Sequence, residues 1–205
     1  MPARRAPERT QRERTEATTA HLIDAARRLF AADGYQATSL EDVVGAAGVT
    51  KGALYHHFDG KRELFRAVFE REEQELARAA HAAYARESDP WEGFYEGCAA
   101  FVEAVLDPGV QRIALLDAPA VLGWETVREV QRHYALAMVR NGLEEAIRSG
   151  RIADRPVDSL AHLLFGALCE GAMVIARAPD QRAAGRDLLR ELRAMLTSLE
   201  TGAAP

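Results

Sequence analysis

The chain has 205 residues, 48% hydrophobic and 28% charged, enough length and apolar content to bury a core in one or two small domains. Its net charge of −5 is unevenly spread: residues 1–70 carry 11 Arg and Lys against 10 Asp and Glu, and residues 71–205 carry 15 against 21. Two distant cysteines, Cys98 and Cys169, have no metal-like spacing and fit a reducing cytoplasm, no apolar run approaches the ~18 residues that span a bilayer, and no apolar stretch follows the N-terminal charges as a secretory signal requires.

Residues 1–14, with Pro2, Pro7 and five arginines against two glutamates, read as a disordered basic arm. Arg4, Arg5, Arg9, Arg12 and Arg14 either enter a minor groove or attract phosphate diffusely. Leu22, Ile23, Ala26, Leu29 and Phe30 then recur at helical spacing over 15–33, and Gly34 ends that helix.

Thr38 followed by Glu41 has capping-box spacing, so a helix should open at Ser39 and bury Leu40, Val43, Val44 and Ala47. Gly48 can take positive φ and stop it. Thr50 can cap a third helix on which Leu54 and Phe58, four apart, face inward. That leaves Lys51, Gly52, Ala53, Tyr55, His56 and His57 at its start and outward side, the groups a helix-turn-helix offers to a major groove. Asp59-Gly60 is a turn. A fourth helix over 61–86 carries Leu64, Phe65, Val68 and Phe69, with Glu70, Glu72, Glu73 and Glu75 on a solvated face.

Ser88-Asp89-Pro90 stops one helix and starts the next, on which Trp91, Phe94, Cys98, Phe101, Val102 and Val105 form a stripe until Asp107-Pro108-Gly109. A short helix over 110–118 gives way to an irregular 119–123. One long amphipathic helix follows over 124–149, with Val127, Val130, Tyr134, Met138 and Ile147 among its apolar positions. Residues 157–178 are strongly apolar with small residues, and a last helix carries Leu188, Leu189, Leu192, Met195, Leu196 and Leu199. No strand signal appears. The chain reads as all-α, with about nine helices.

Gly34-Tyr35, Thr38-Ser39, Gly48-Val49-Thr50, Leu54-Tyr55, His57-Phe58, Lys61 and Leu64 resemble the N-terminal signature of the tetracycline-repressor (TetR) family of transcriptional regulators. The resemblance implies a helix-turn-helix DNA-binding domain over 15–62, linked by helix four to a helical effector-binding and dimerisation domain over 87–205. It implies a cytoplasmic homodimer on a palindromic operator, usually a repressor, released by a small molecule.

By the same resemblance Tyr55, His56, His57 and Lys61 match phosphate-clamping positions, and their chemistry agrees, all being donors. Thr38 and Thr50 sit near the backbone as caps and further hydroxyl donors. Lys51 could reach a guanine edge, Gly52 would admit a close backbone, and Ala53 could meet a thymine methyl. The chain's only two lysines, Lys51 and Lys61, both fall in this motif among 26 basic residues.

The seam of a dimer should draw on 157–199 as a four-helix bundle, through Leu164, Gly166, Ala167, Gly171, Ala172, Leu188, Leu192, Met195 and Leu196. Two reading heads about 34–36 Å apart would then meet a palindrome. Trp91, Phe94, Tyr95, Phe101, Trp124, Tyr134, Met138, Phe165 and Met173 mark a candidate effector pocket, with His133, His162 and Glu170 as polar contributors. Their mix favours an apolar or aromatic ligand.

No cofactor or metal site is expected, and no enzyme signature is found: no Gly-x-Ser-x-Gly, Cys-x-x-Cys or Glu-x-x-His, and Glu129 with His133 reads as a surface pair. A redox-sensing regulator using Cys98 or Cys169 is the alternative, and a helical enzyme a remote one.

Overall fold

The structure, a computed structural model, describes the backbone of residues 11–201 and side chains from Thr15 onward. The arginines of the basic arm therefore lie outside the described side chains. The helix expected from residue 15 already runs from Gln11. Among the described residues there is no strand, and one antiparallel bridge joins Ile152 to Glu200. The chain divides into two compact units, residues 1–68 and 69–205.

The first unit holds α1 (Gln11–Ala37), α2 (Leu40–Ala47), α3 (Lys51–His57) and the start of α4 (Lys61–Tyr84). Gly34, at φ 81° and ψ 167°, kinks α1 where the sequence ends it, a backbone state that a Cβ would disfavour. Phe30, Tyr35 and Phe65 form a ring cluster, with Phe65 edge-on to both others at 5.1 Å. Leu22, Ala26, Val43 and Leu54, all fully buried, complete the core.

The second unit holds the rest of α4, then α5 (Pro90–Ala104), a short α6 (Pro108–Val110), a π-helical turn at Gln111–Asp117, α7 (Ala118–Leu122), α8 (Trp124–His133), α9 (Ala135–Arg148), α10 (Val157–Arg177) and α11 (Gln181–Leu199). Asp89 caps α5, accepting from Trp91 N–H at 2.7 Å. Phe94, Val102, Leu143, Leu164, Phe165, Ile175 and Leu196 share one core cluster.

Three expectations change here. Residues 119–122 are helical rather than irregular, because Pro119 takes the first turn of α7, where its missing N–H is not needed. The wide turn before it lets Ala118 N–H reach Ile113 O, five residues back.

The long helix over 124–149 is two, broken at Tyr134 (φ −116°, ψ −87°). At about 100° per residue, buried Val127 and Val130 lie on nearly the opposite side of a straight helix from buried Leu136, Val139, Leu143 and Ala146. One straight rod cannot bury both stripes.

Finally, α10, with 21 residues, is long and apolar enough to cross a membrane, although its apolar run is not unbroken. Ala161, Leu164, Phe165, Leu168, Ala172 and Ile175 commit one side of it to the core.

Candidate nucleic-acid interface and effector cavity

The α2–α3 turn is fixed by local chemistry. Ser39, not Thr38, caps α2: its hydroxyl accepts from Asp42 N–H at 3.1 Å, and Asp42 accepts from Ser39 N–H at 3.1 Å. The capping box is therefore shifted one residue from the Thr38/Glu41 pair. Gly48 adopts φ 66° and closes α2, and Thr50 accepts from Ala53 N–H at 3.2 Å to open α3. Leu54 and Phe58 point inward as the spacing requires.

Lys51, Gly52, Tyr55 and His56 are left exposed on α3, Tyr55 at 50%. A Cβ on Gly52 would approach nothing closer than 4.0 Å, so the fold itself does not demand glycine there. Lys51 Nζ bonds Glu41 at 2.5 Å, and that contact holds the Glu41 carboxylate below its usual range. Reading a base would mean exchanging this solvent-exposed partner.

His57 is half-buried. Thr19 Oγ1 donates to Thr15 O at 3.0 Å and lies 3.1 Å from His57 Nδ1. With the hydroxyl turned to Thr15, Nδ1 is the donor to Thr19; with it turned to His57, Nδ1 is the acceptor.

Two of the named positions are engaged with the protein itself. Thr38 is 3% exposed and donates its hydroxyl to Gly34 O at 2.9 Å, so it neither caps α2 nor offers that group outward. Lys61 Nζ donates to the carbonyls of Tyr35 (2.7 Å), Gln36 (3.3 Å) and Thr38 (2.8 Å), and lies 4.3 Å from the centroid of the Tyr35 ring. Its three protons satisfy carbonyls at the end of α1. The ammonium is a structural clasp here, not a free phosphate donor.

In the second unit a cavity of about 420 Å³ lies among α4, α5, α9 and α10. Phe94, Phe101, Met138 and Phe165, named for an effector pocket, line it. Trp91, Tyr95, Trp124, Tyr134 and Met173 do not, nor do His133, His162 and Glu170. Trp91 stacks on Phe94 at 5.4 Å and donates to Glu200 at 3.2 Å. Tyr95 lies under the Arg193 guanidinium at 3.5 Å. Trp124 is 62% exposed beneath Arg128, and His133 Nδ1 bonds the Glu129 backbone oxygen.

Sequence reasoning missed Ala77, Ala80, His81 and Tyr84 of α4, and Asn141 and Glu145 of α9. Their signal was helical spacing, at i, i+3, i+4 and i+7 on α4 and at i, i+4 on α9. Gly142 lets the Phe94 ring lie against α9, since a Cβ there would sit 2.3 Å from the ring.

The seam residues divide. Leu164, Gly171, Ala172, Leu192 and Leu196 are buried within the unit, and Gly171 gives room to the half-buried Leu188 side chain. They form core, which corrects their assignment to a dimer surface. Ala167 and Met195 face outward and Gly166 is half-exposed, in company with Leu163 (72% exposed) and Val174 (57%), which the reading omitted.

Glu72 and Glu73 are buried, not solvated. Burial pushes the Glu73 carboxyl up to about 7, opposed by a hydrogen bond from Gln131 Nε2 at 3.4 Å. Burial likewise pushes Cys98 up to about 12 and Cys169 to about 11. Among the described residues no group of three metal-ligating side chains converges.

Residues 22–68 match the model of bacterial regulatory proteins of the tetR family, and residues 91–199 match the tetracyclin repressor-like C-terminal domain. A TetR-family transcriptional regulator from Pectobacterium atrosepticum is 37% identical, with a TM-score of 0.81 over 96% of this chain and all of that one. The TetC protein of transposon Tn10 from Escherichia coli is 27% identical over 76% of this chain and 79% of its own. FadR from Bacillus subtilis, solved with stearoyl-CoA, shares the fold at a TM-score of 0.69 and 19% identity, over 84% of this chain and 96% of that one. With its capped helix-turn-helix followed by a helical second unit, the chain belongs to the TetR family of DNA-binding transcriptional regulators.

Proposed function

We propose that this protein is a cytoplasmic repressor, not an enzyme, that binds a palindromic operator as a homodimer and leaves it when a small molecule fills the cavity of the second unit. The observation that carries the reading is the exposed Lys51-Gly52-Tyr55-His56 face of α3, held by the Thr50 cap and the Gly48 turn. Tyr55 and His56 clamp phosphates, and Lys51 exchanges Glu41 for a base edge. The outward apolar face of α10, with Leu163, Ala167 and Val174, supports the dimer. The stearoyl-CoA held by FadR supports a small-molecule effector in this fold.

Release requires the effector to bind the DNA-incompetent conformation more tightly, since equal affinity for both shifts nothing. A redox switch is disfavoured by the raised thiols of Cys98 and Cys169, which hold both sulfurs in the less reactive protonated form. The test is selection of bound sequences from a random DNA pool by the purified protein near physiological salt. An enriched palindrome is the expected result. No enrichment from a folded dimer overturns the reading.

A further inference from the structure

The cavity carries a chemical preference of its own. Its depth is formed by buried Phe94, Cys98, Phe165 and Leu168, an apolar wall rich in ring surface. Its solvent end is polar, and the full charges there are Glu144, Glu145 and Arg148. Arg148 is already paired with Glu145 along the same helix. Glu144 accepts from Arg140 at 3.0 Å, and Arg140 does not line the cavity. The mouth therefore presents two carboxylates, each already paired with an arginine, and only one of those arginines, Arg148, belongs to the lining.

An anionic group entering here would have to displace Glu145 from Arg148 and then sit beside two carboxylates. Like charges at such spacing repel, and the low-dielectric wall behind them screens poorly. A hydrogen-bond donor meets the opposite situation, because carboxylate oxygens accept only. A volume of about 420 Å³ lies at the small end of ligand pockets and suits a body of two or three rings.

We infer that the cavity selects a compact aromatic molecule whose polar end is a hydrogen-bond donor, a hydroxyl or an ammonium, and rejects the carboxylate of the same shape. This rests on the cavity being the effector site, as proposed above.

The test uses the full-length protein, from a preparation first shown to retain binding to its selected operator. Three probes of similar shape are titrated calorimetrically at pH 7: 1-naphthylmethylamine, 1-naphthylmethanol and 1-naphthoate. The amine and the alcohol are expected to bind, with 1-naphthoate at least tenfold weaker. Glu145→Gln, a change at a partly exposed site, frees Arg148 and is expected to bring 1-naphthoate to within threefold of the alcohol while weakening the amine. Equal binding of 1-naphthoate by the natural protein overturns the inference. So does an unchanged preference in Glu145→Gln, or binding of none of the probes by protein that still holds its operator. Loss of operator selection would instead strike the regulator reading, independently of these titrations.

Discussion

Lys61 Nζ lies 2.7 Å from the Tyr35 carbonyl oxygen and 4.3 Å from the centroid of the same residue's ring, so one ammonium ties the start of α4 to the end of α1. Charged hydrogen bonds of this kind contribute about 1.5–3 kcal/mol. Lys61→Ala is therefore expected to lower stability by about 2 kcal/mol in urea unfolding and to leave the salt slope of operator binding unchanged. Tyr55→Ala should do the reverse. Its side chain is half exposed, so stability should hold within about 0.5 kcal/mol, while affinity falls for every DNA sequence alike. A reduced salt slope in Lys61→Ala would restore its phosphate role.

Glu73 sets a pH dependence. Its carboxyl is raised to about 7 in the folded chain, against 4.5 when solvated, so the folded state holds the proton more tightly. Stability should fall as pH rises from about 4.5 to 7, by at most about 3–4 kcal/mol at 1.36 kcal/mol per unit. Glu73→Gln keeps the Gln131 contact without the charge. It should flatten that part of the stability-versus-pH curve and stabilise the protein at pH 8. An unchanged slope between pH 5 and 8 would show that Glu73 titrates normally.

Gly142 and Phe94 form a fitted contact between α9 and α5. A methyl at 142 would lie 2.3 Å from the Phe94 ring, so the ring, which lines the cavity, has to shift. Gly142→Ala should cost about 1–3 kcal/mol and weaken any cavity ligand at least tenfold. Calorimetry with 1-naphthylmethanol, beside thermal unfolding, checks both parts. Full affinity with full stability would show that the ring moves elsewhere.

Neighbouring leucines on α10 should separate assembly from folding. Leu163 is 72% exposed and Leu164 is 2% exposed. Leu163→Asp should yield a helical, stable monomer by sedimentation. Leu164→Asp buries an unpaired charge and should abolish cooperative unfolding. A Leu163→Asp protein that remains dimeric would place the interface on another face.

The helix-turn-helix was legible in the sequence because its determinants are local. Gly48 has to reach positive φ, Thr50 accepts from an amide three residues on, and Leu54 and Phe58 share a face by spacing alone. The break at Tyr134 was missed, because the crossing of the buried stripe between Val130 and Leu136 emerges only once burial separates those residues from the other apolar positions of 124–149.

Other assignments needed the tertiary structure. On α10 the exposed side is itself partly apolar, at Leu163, Ala167 and Val174, so apolar content alone does not separate Leu163 from the buried Leu164. Nothing local distinguishes Glu73 from Glu70 until α8 supplies Gln131. Lys61, read as a phosphate donor from its place in a motif, is turned inward by carbonyls 23 to 26 residues earlier in the chain. Local sequence determined the turns, the caps and the stripes. Packing between distant segments decided which polar groups were enclosed and which apolar face was left open, because burial is a property of neighbours that the chain meets only once it has folded.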